Sequence, residues 1–311
     1  MSKLRIAFSG IGAVGGYYGG MLAARYKDKE IADFFFISRG ENLRAIKEHG
    51  LHIKTGIRTL IAVPALATDN PAEIGPVDYI FCCTKSYDLK ENIEQLKPLL
   101  GPETVIIPLL NGVNITEQIQ ELLPGQSVWK GCTYIGARLI KPGYIDKFSG
   151  KERLFFGSKD GDKAKQEALL QLLTYSRINA YNPDDIDLRL WKKFLMISTA
   201  ATITTFFNQN ISDVIEQHYD MFIALGNELK SVAEAKGIHL PADIVYASIE
   251  AQKMMPAGAT TSMHADFLAG KPTELETLTG YVVHTADKLG IDVPTYRFMY
   301  NGITKMPYPW V

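Results

Sequence analysis

Gly10, Gly12 and Gly15, in the stretch SGIGAVGG, have the spacing G-x-G-x-x-G directly after the apolar run LRIAFS and directly before a helical stretch. In that setting the spacing is that of a dinucleotide-binding turn. The first glycine permits a tight turn, the second lets the backbone approach a pyrophosphate, and the third lets helix and strand pack closely. Backbone N–H groups from Gly10 and Gly12 through Ala13 and Val14 to Gly15 then face negative charge at a helix N-terminus without needing a basic side chain. A glycine-rich turn with no cofactor is the plain alternative, and the flanking strand and helix count against it.

The second strand, ADFFFIS, ends in Ser38 and Arg39, where an NAD enzyme usually presents Asp or Glu to the ribose hydroxyls. An acid there repels a 2′-phosphate, whereas an arginine pairs with it through two charge-assisted hydrogen bonds. These residues favour NADPH over NADH; a solvated loop arginine is the other reading. Lys85 follows the run YIFCCT and Asn111 follows VIIP. Both stand at strand carboxyl ends, where ligands bind in open α/β sheets, although Asn-Gly at 111–112 is also an ordinary turn.

The elements that must position these residues fall into two textures. Up to about residue 160, short β-branched or aromatic runs (Leu4 to Ser9, Asp33 to Ser38, Tyr79 to Cys83, Val105 to Pro108, Ser127 to Tyr134) alternate with helical segments. That alternation predicts a parallel sheet with helices on its faces. The stretch GYIDKFSGKERLFFGS predicts a closing hairpin or strand pair, followed by a helix over Lys163–Leu173. From Leu188 onward the pattern is helical: WKKFLMISTAATITTFF, MFIALGNELKSVAEAKG, ADIVYASIEAQKMM and a last pair around Ser262 and Glu274. The expected fold is an α/β Rossmann-type N-terminal domain over residues 1–180 with an all-helical C-terminal domain over residues 181–311.

Composition excludes other classes. The 33 Lys and Arg against 34 Asp and Glu leave a net charge of -1, with no electrostatic footprint for nucleic acid or an anionic membrane. The N-terminal apolar stretch is broken by Ser9 and glycines before a signal-peptide core is complete, and no run reaches about 18 apolar residues. A cytoplasmic location is expected. Cys82, Cys83 and Cys132 show no metal-ligand spacing; the vicinal pair reads as buried strand in a reducing compartment. The six histidines are scattered without an H-x-x-x-H pair, so no metal is expected, and His264 reads as a helix-surface histidine, with a place facing the cleft beside Ser262 as the other reading.

Together the motifs GIGAVGGYYG, SRG with L-x(5)-HGL, TKSYDL at 84–89, LLNGV at 109–113, LWKKF at 190–194 and SMHADFLAGKPTELETLTGYVV at 262–283 resemble the ketopantoate reductase (2-dehydropantoate 2-reductase) family along nearly the whole chain. The resemblance implies NADPH-dependent reduction of a 2-oxo acid, ketopantoate to pantoate in pantothenate biosynthesis. It implies Lys193 as the catalytic lysine, with Glu274 beside it in the catalytic pair. Hydride transfer to a ketone creates an alkoxide, which a positioned ammonium stabilises and protonates. It further implies Ser262 and Asn111 as substrate-binding residues, and Lys85 and Asn111 near the cofactor. Without the motif, Lys193 reads as a surface lysine and Glu274 as a helix-start acid favoured by the macrodipole.

Where the family usually has asparagines four and eight residues after the lysine, this chain has Ile197 and Ala201, and Ala259 stands three residues before the serine. Ser198, Thr199 and Thr202 point to other faces of an ideal helix. A less polar wall makes another branched or more apolar 2-oxo acid the second reading. A non-catalytic NADP-binding sensor is the alternative of a different class, and the joint presence of Lys193, Ser262 and Glu274 speaks against it. The expected partner is the small-molecule substrate, and a homodimer is compatible with the sequence.

Overall fold

In the computed structural model, which describes residues 3–27, 30–148 and 150–306, the apolar runs of the N-terminal half become strands. Ser149, inside the expected closing hairpin, lies outside the described residues. The strands are β1 (Leu4–Ser9), β2 (Ala32–Ile37), β3 (Leu51–Thr55), β4 (Arg58–Ala62), β5 (Leu66–Thr68), β6 (Tyr79–Cys82), β7 (Val105–Pro108), β8 (Ser127–Val128), β9 (Lys130–Tyr134), β10 (Ala137–Lys141), β11 (Tyr144–Lys147), β12 (Arg153–Gly157) and β13 (Ala180–Tyr181). The helices are α1 (Ala13–Tyr26), α2 (Gly40–His49), α3 (Leu89–Leu96), α4 (Ile115–Leu122), α5 (Lys163–Tyr175), α6 (Ile186–Phe207), α7 (Ile211–Gln217), α8 (Tyr219–Ala235), α9 (Ile244–Lys253), α10 (Ser262–Leu268), α11 (Tyr281–Leu289) and α12 (Pro294–Ile303). Two units result. One holds the residues up to Leu110 with Asn114–Ile186, the other Asn111–Val113 with the residues from Asp187 on.

In the first unit a six-stranded sheet runs in the order β5-β2-β1-β6-β7-β8, with each neighbouring pair parallel. Its strands are apolar on both faces because both are covered. On one face Phe8 stacks on Phe81 with ring centroids 4.7 Å apart. On the other, Ile80 and Ile106 join Leu89, Ile93 and Ile119 of α3 and α4 in a second cluster. Burying one such ring is worth roughly 1.5–3 kcal/mol. Strand order reverses between β1 and β6, and the carboxyl ends at such a switch point form the crevice that binds ligands in open α/β sheets.

Helix α1 is buried because it lies between two sheets. Its Gly19 lies against Phe8 and Phe36 of the main sheet, while Gly16 and Gly20 lie against Ile145 and Ile53 of a four-stranded sheet ordered β10-β11-β3-β4. A Cβ on Gly20 would fall 2.6 Å from Ile53 Cδ1, so glycine is what permits the close approach at this point.

The parallel sheet departs from expectation at its last strand. The run Ser127–Tyr134 is not one strand: β8 ends the main sheet, and after Trp129, whose N–H donates to the Ile106 carbonyl at 2.9 Å, β9 joins β12 and β13 in a separate three-stranded sheet. The stretch 143–158 does give two strands, but they do not form a hairpin. β11 pairs with β10 and β3, and β12 pairs with β9 and β13. Local alternation predicts a strand but not its partner, which is set by the layers each face must bury.

The second unit is helical. α6 is apolar around most of its surface, with Leu190, Phe194, Leu195, Ala200, Ala201 and Ile203 buried, as befits a helix surrounded by others. The Thr205 hydroxyl of α6 is buried without a hydrogen-bond partner, but Ser198 and Thr202 are paired inside the unit. Ser198 Oγ donates to the Leu278 carbonyl at 2.9 Å and pairs with the Tyr296 hydroxyl at 2.8 Å, and Thr202 pairs with Thr279 at 2.7 Å. Leu278 and Thr279 belong to a π-helical turn, Glu276–Gly280, that leads into α11. Glu228 accepts the backbone N–H groups of Thr295 and Tyr296 at 2.8 and 2.9 Å, securing the start of α12. No helix among the described residues is long and apolar enough to cross a membrane.

Candidate active site

At the end of β1 the chain turns through Gly10 with φ at 89°, a left-handed conformation that favours glycine. A Cβ there would fall 2.9 Å from the backbone of Cys83 and Thr84, and one on Gly15 would collide with the Gly10 carbonyl. Gly12, which caps α1, faces open space. No side chain caps this helix and no acid occupies its first turn, so its leading N–H groups are available to an anion. The Thr84 hydroxyl, beyond β6, is buried without a hydrogen-bond partner. A turn open only over Gly12, together with an unsatisfied hydroxyl at the neighbouring strand end, fits a dinucleotide pyrophosphate.

Arg39 follows β2 at the start of α2 and is exposed; its guanidinium lies 3.3 Å from the Glu91 carboxylate on α3. Glu91 also accepts a hydrogen bond from Gln95 at 2.9 Å. Lys85 is half-buried just beyond β6 and leads into the short turn Ser86–Asp88. Arg39, Lys85 and the glycine turn therefore all stand at carboxyl ends of β1, β2 and β6.

In the second unit Lys193 projects from α6 and is only 8% exposed; its ammonium donates to Asn111 Oδ1 at 2.9 Å. The same amide donates through Nδ2 to Glu274 Oε2 at 3.1 Å, and Glu274 is 3% exposed. Asn111 thus links a buried ammonium to a buried carboxylate, accepting from one and donating to the other. Charges taken out of water in this way are retained when their hydrogen bonds are met. The arrangement holds an ammonium at a fixed point, where it can stabilise a developing alkoxide and deliver a proton. Lys192, its half-buried neighbour, has no part in this link.

Ser262 stands exposed at the first position of α10, and among the described residues no hydrogen bond joins it to Lys193, Asn111 or Glu274. Ile197 is half-buried and Ala201 is buried. Ser198, Thr199 and Thr202 do not stand in for missing amides. Thr199 bonds back to the Leu195 carbonyl at 2.7 Å, and the other two are spent on the π-turn and Tyr296.

His264 is not a surface histidine: it is 3% exposed, with Nδ1 2.6 Å from the Thr260 hydroxyl and Nε2 2.9 Å from Asn208 Oδ1. Burial pushes its pKa below 6.5. The seven-residue α10 buries its Met263, His264 and Phe267 side, a face that a single histidine in a polar-looking segment does not reveal. Sequence reasoning also passed over Glu91, Asn42 and the π-turn. A sequence signal exists for Asn42 alone, four positions beyond Ser38 and so on the same side of the chain entering α2.

Comparisons with known proteins identify the family and the fold. The family model described as ketopantoate reductase PanE/ApbA matches residues 6–161, and its C-terminal counterpart matches residues 185–306. The chain is 28% identical over 297 residues to the uncharacterized oxidoreductase YkpB of Bacillus subtilis (strain 168), covering 94% of this chain and 96% of that protein. The crystal structure of 2-dehydropantoate 2-reductase from Porphyromonas gingivalis W83 matches with a TM-score of 0.87 at 39% identity, over 97% of this chain and 100% of the other. A ternary structure of D-mandelate dehydrogenase with NADH and anilino(oxo)acetate shares the fold, with a TM-score of 0.86 at 24% identity, over 97% of each chain.

Proposed function

Because the chain belongs to the ketopantoate reductase family, an oxidoreductase family acting on C=O and CH–OH groups, we propose that it reduces the 2-oxo group of 2-dehydropantoate to the alcohol of pantoate. The family depends on NADPH, which when bound supplies the hydride. In this reading residues through about 180 hold the cofactor and the remainder hold the substrate. Gly10, Gly12, Ala13, Val14 and Gly15 take the pyrophosphate, Arg39 the 2′-phosphate, and Lys85 the cofactor's inner side. Lys193 stabilises the alkoxide formed at C2 and gives it a proton. Asn111 orders the ammonium, and Glu274 and Ser262 accept or donate hydrogen bonds to the substrate. The overall change consumes one proton and leaves the cofactor oxidised.

The observation that carries the proposal is the Lys193–Asn111–Glu274 link, a buried acid held in one orientation by an amide. It supports proton delivery over a role in binding NADP alone. A product of this kind would feed pantothenate biosynthesis, and three free cysteines are in keeping with a reducing, cytoplasmic setting.

A second reading, a branched 2-oxo acid without a hydroxyl, draws on Ile197 and Ala201 together with the committed hydroxyls of Ser198, Thr199 and Thr202. Loss of NADPH absorbance with a panel of 2-oxo acids tests both. Turnover of none of them would sink the proposal, and a higher specificity constant for an apolar 2-oxo acid than for 2-dehydropantoate would install the second reading.

A further inference from the structure

We propose that Asn42 is a positioning residue for the cofactor: it sets the direction in which Gly12 presents its N–H. The inference rests on reading Gly10–Gly15 as the pyrophosphate turn. Asn42 lies in the first turn of α2 and uses all three sides of its amide. Nδ2 donates to the Ile11 carbonyl at 2.8 Å and to Ser38 Oγ at 3.0 Å, while Oδ1 accepts from the Gly143 N–H at 2.8 Å in the turn between β10 and β11. Flipping the amide would set its oxygen against the Ile11 carbonyl and its NH2 against the Gly143 N–H, so these partners fix its orientation.

The consequence follows from peptide geometry. The bond between Ile11 and Gly12 is trans and planar, so its C=O and N–H point in opposite directions. Holding the Ile11 oxygen toward Asn42 therefore turns the Gly12 N–H away from it. It also keeps a carbonyl, which would repel phosphate, from rotating toward the anion. Gly12 itself has open space where a side chain would be, which leaves room for the ligand to approach this turn. The bond to Ser38 ties the same amide to the residue before Arg39, so one side chain braces the turn at β1, the end of β2 and the four-stranded sheet.

The test is titration of the apo protein with NADPH and with NADH, followed by nicotinamide fluorescence well below the unfolding temperature. Both cofactors share the pyrophosphate, so Asn42→Ala is expected to weaken both by about ten- to a hundred-fold, because the cofactor must then order a turn that Asn42 no longer holds. Arg39→Ala should weaken NADPH alone. In the apo protein, backbone deuterium exchange across Gly12–Gly16 should quicken in Asn42→Ala. Should that variant not fold, Asn42→Asp retains an acceptor for Gly143 and is titrated in about 1 M salt, where the Debye length of about 3 Å screens the added charge. Unchanged affinity for both cofactors would overturn the inference, and so would a loss confined to NADPH, which would route the effect through Ser38 and Arg39. A wild-type protein that binds neither cofactor would remove the reading of the turn itself, a result distinct from either.

Discussion

The Lys193 ammonium donates to Asn111 Oδ1 at 2.9 Å, so the amide's other end is free to engage Glu274 at 3.1 Å. Lys193→Met should lower kcat by roughly two or more powers of ten while NADPH still binds, and Lys192→Met should have much the smaller effect. Asn111→Leu should cost about 1–3 kcal/mol of transition-state stabilisation, since it takes one hydrogen bond from each of two buried charged groups. Because the residues act through one another, the double variant should lose less than the sum of the two single losses. Additive losses in steady-state assays would mean that Asn111 works independently of the lysine.

Cofactor preference should turn on Arg39. Arg39→Asp is expected to reverse or abolish a preference for NADPH, because a carboxylate would repel the 2′-phosphate that a guanidinium there would pair with. Glu91→Gln removes the carboxylate 3.3 Å from Arg39, but both groups are exposed and such pairs are worth about 0–1 kcal/mol. The shift in the NADPH to NADH ratio of kcat/KM should therefore stay within about five-fold. A wild-type preference for NADH would reject the role given to Arg39.

Substrate selection should be weaker than in a pocket lined with amides. Each buried polar group left unpaired costs about 1–3 kcal/mol, so the hydroxyl of 2-dehydropantoate gains little against Ile197 and Ala201. The ratio of kcat/KM for 2-dehydropantoate over 2-oxo-3,3-dimethylbutanoate should fall well below about ten thousand, the discrimination reached by a site built to pair a substrate hydroxyl. A ratio above that would require other residues to bind the hydroxyl.

Stability should decline on mild acidification through His264. Burial depresses its pKa in the fold below the ordinary 6.5, so the unfolded chain takes up the proton first. Well above pH 6.5 neither state is protonated there and nothing is lost; as pH falls through 6.5 toward the lower pKa of the folded state, stability drops by at most about 1.4 kcal/mol per unit for this one proton. Urea denaturation at several pH values should give a shallower decline for His264→Gln than for the wild type. Parallel curves would show that His264 does not titrate on unfolding.

The legible parts of the sequence were those with local causes. The glycine turn, the apolar strands β1, β2, β6 and β7, and the long α6 each follow from spacing within a few residues. The four-stranded sheet was not anticipated. Leu51 and Ile53 alternate with polar residues over only five positions, and their burial depends on glycines in α1 some thirty residues earlier. The same limit applies to the site. Lys193, Asn111 and Glu274 were nameable from motifs, but their linkage spans 82 and 163 residues and no local pattern encodes it. His264 was misread because the helix that buries it is too short to display a period.

The grouping of Asn111–Val113 with the helical unit, although the residues on either side of them belong to the other, makes the helical unit discontinuous in the chain. A protease cut or gene fission at 186/187 would thus yield a C-terminal fragment that keeps Lys193 and Glu274 and loses the amide between them. The two halves are separable as sequence families but not as self-sufficient parts. Any inheritance or engineering that swaps one half for a relative's must carry the residue at 111 as a property of the other half.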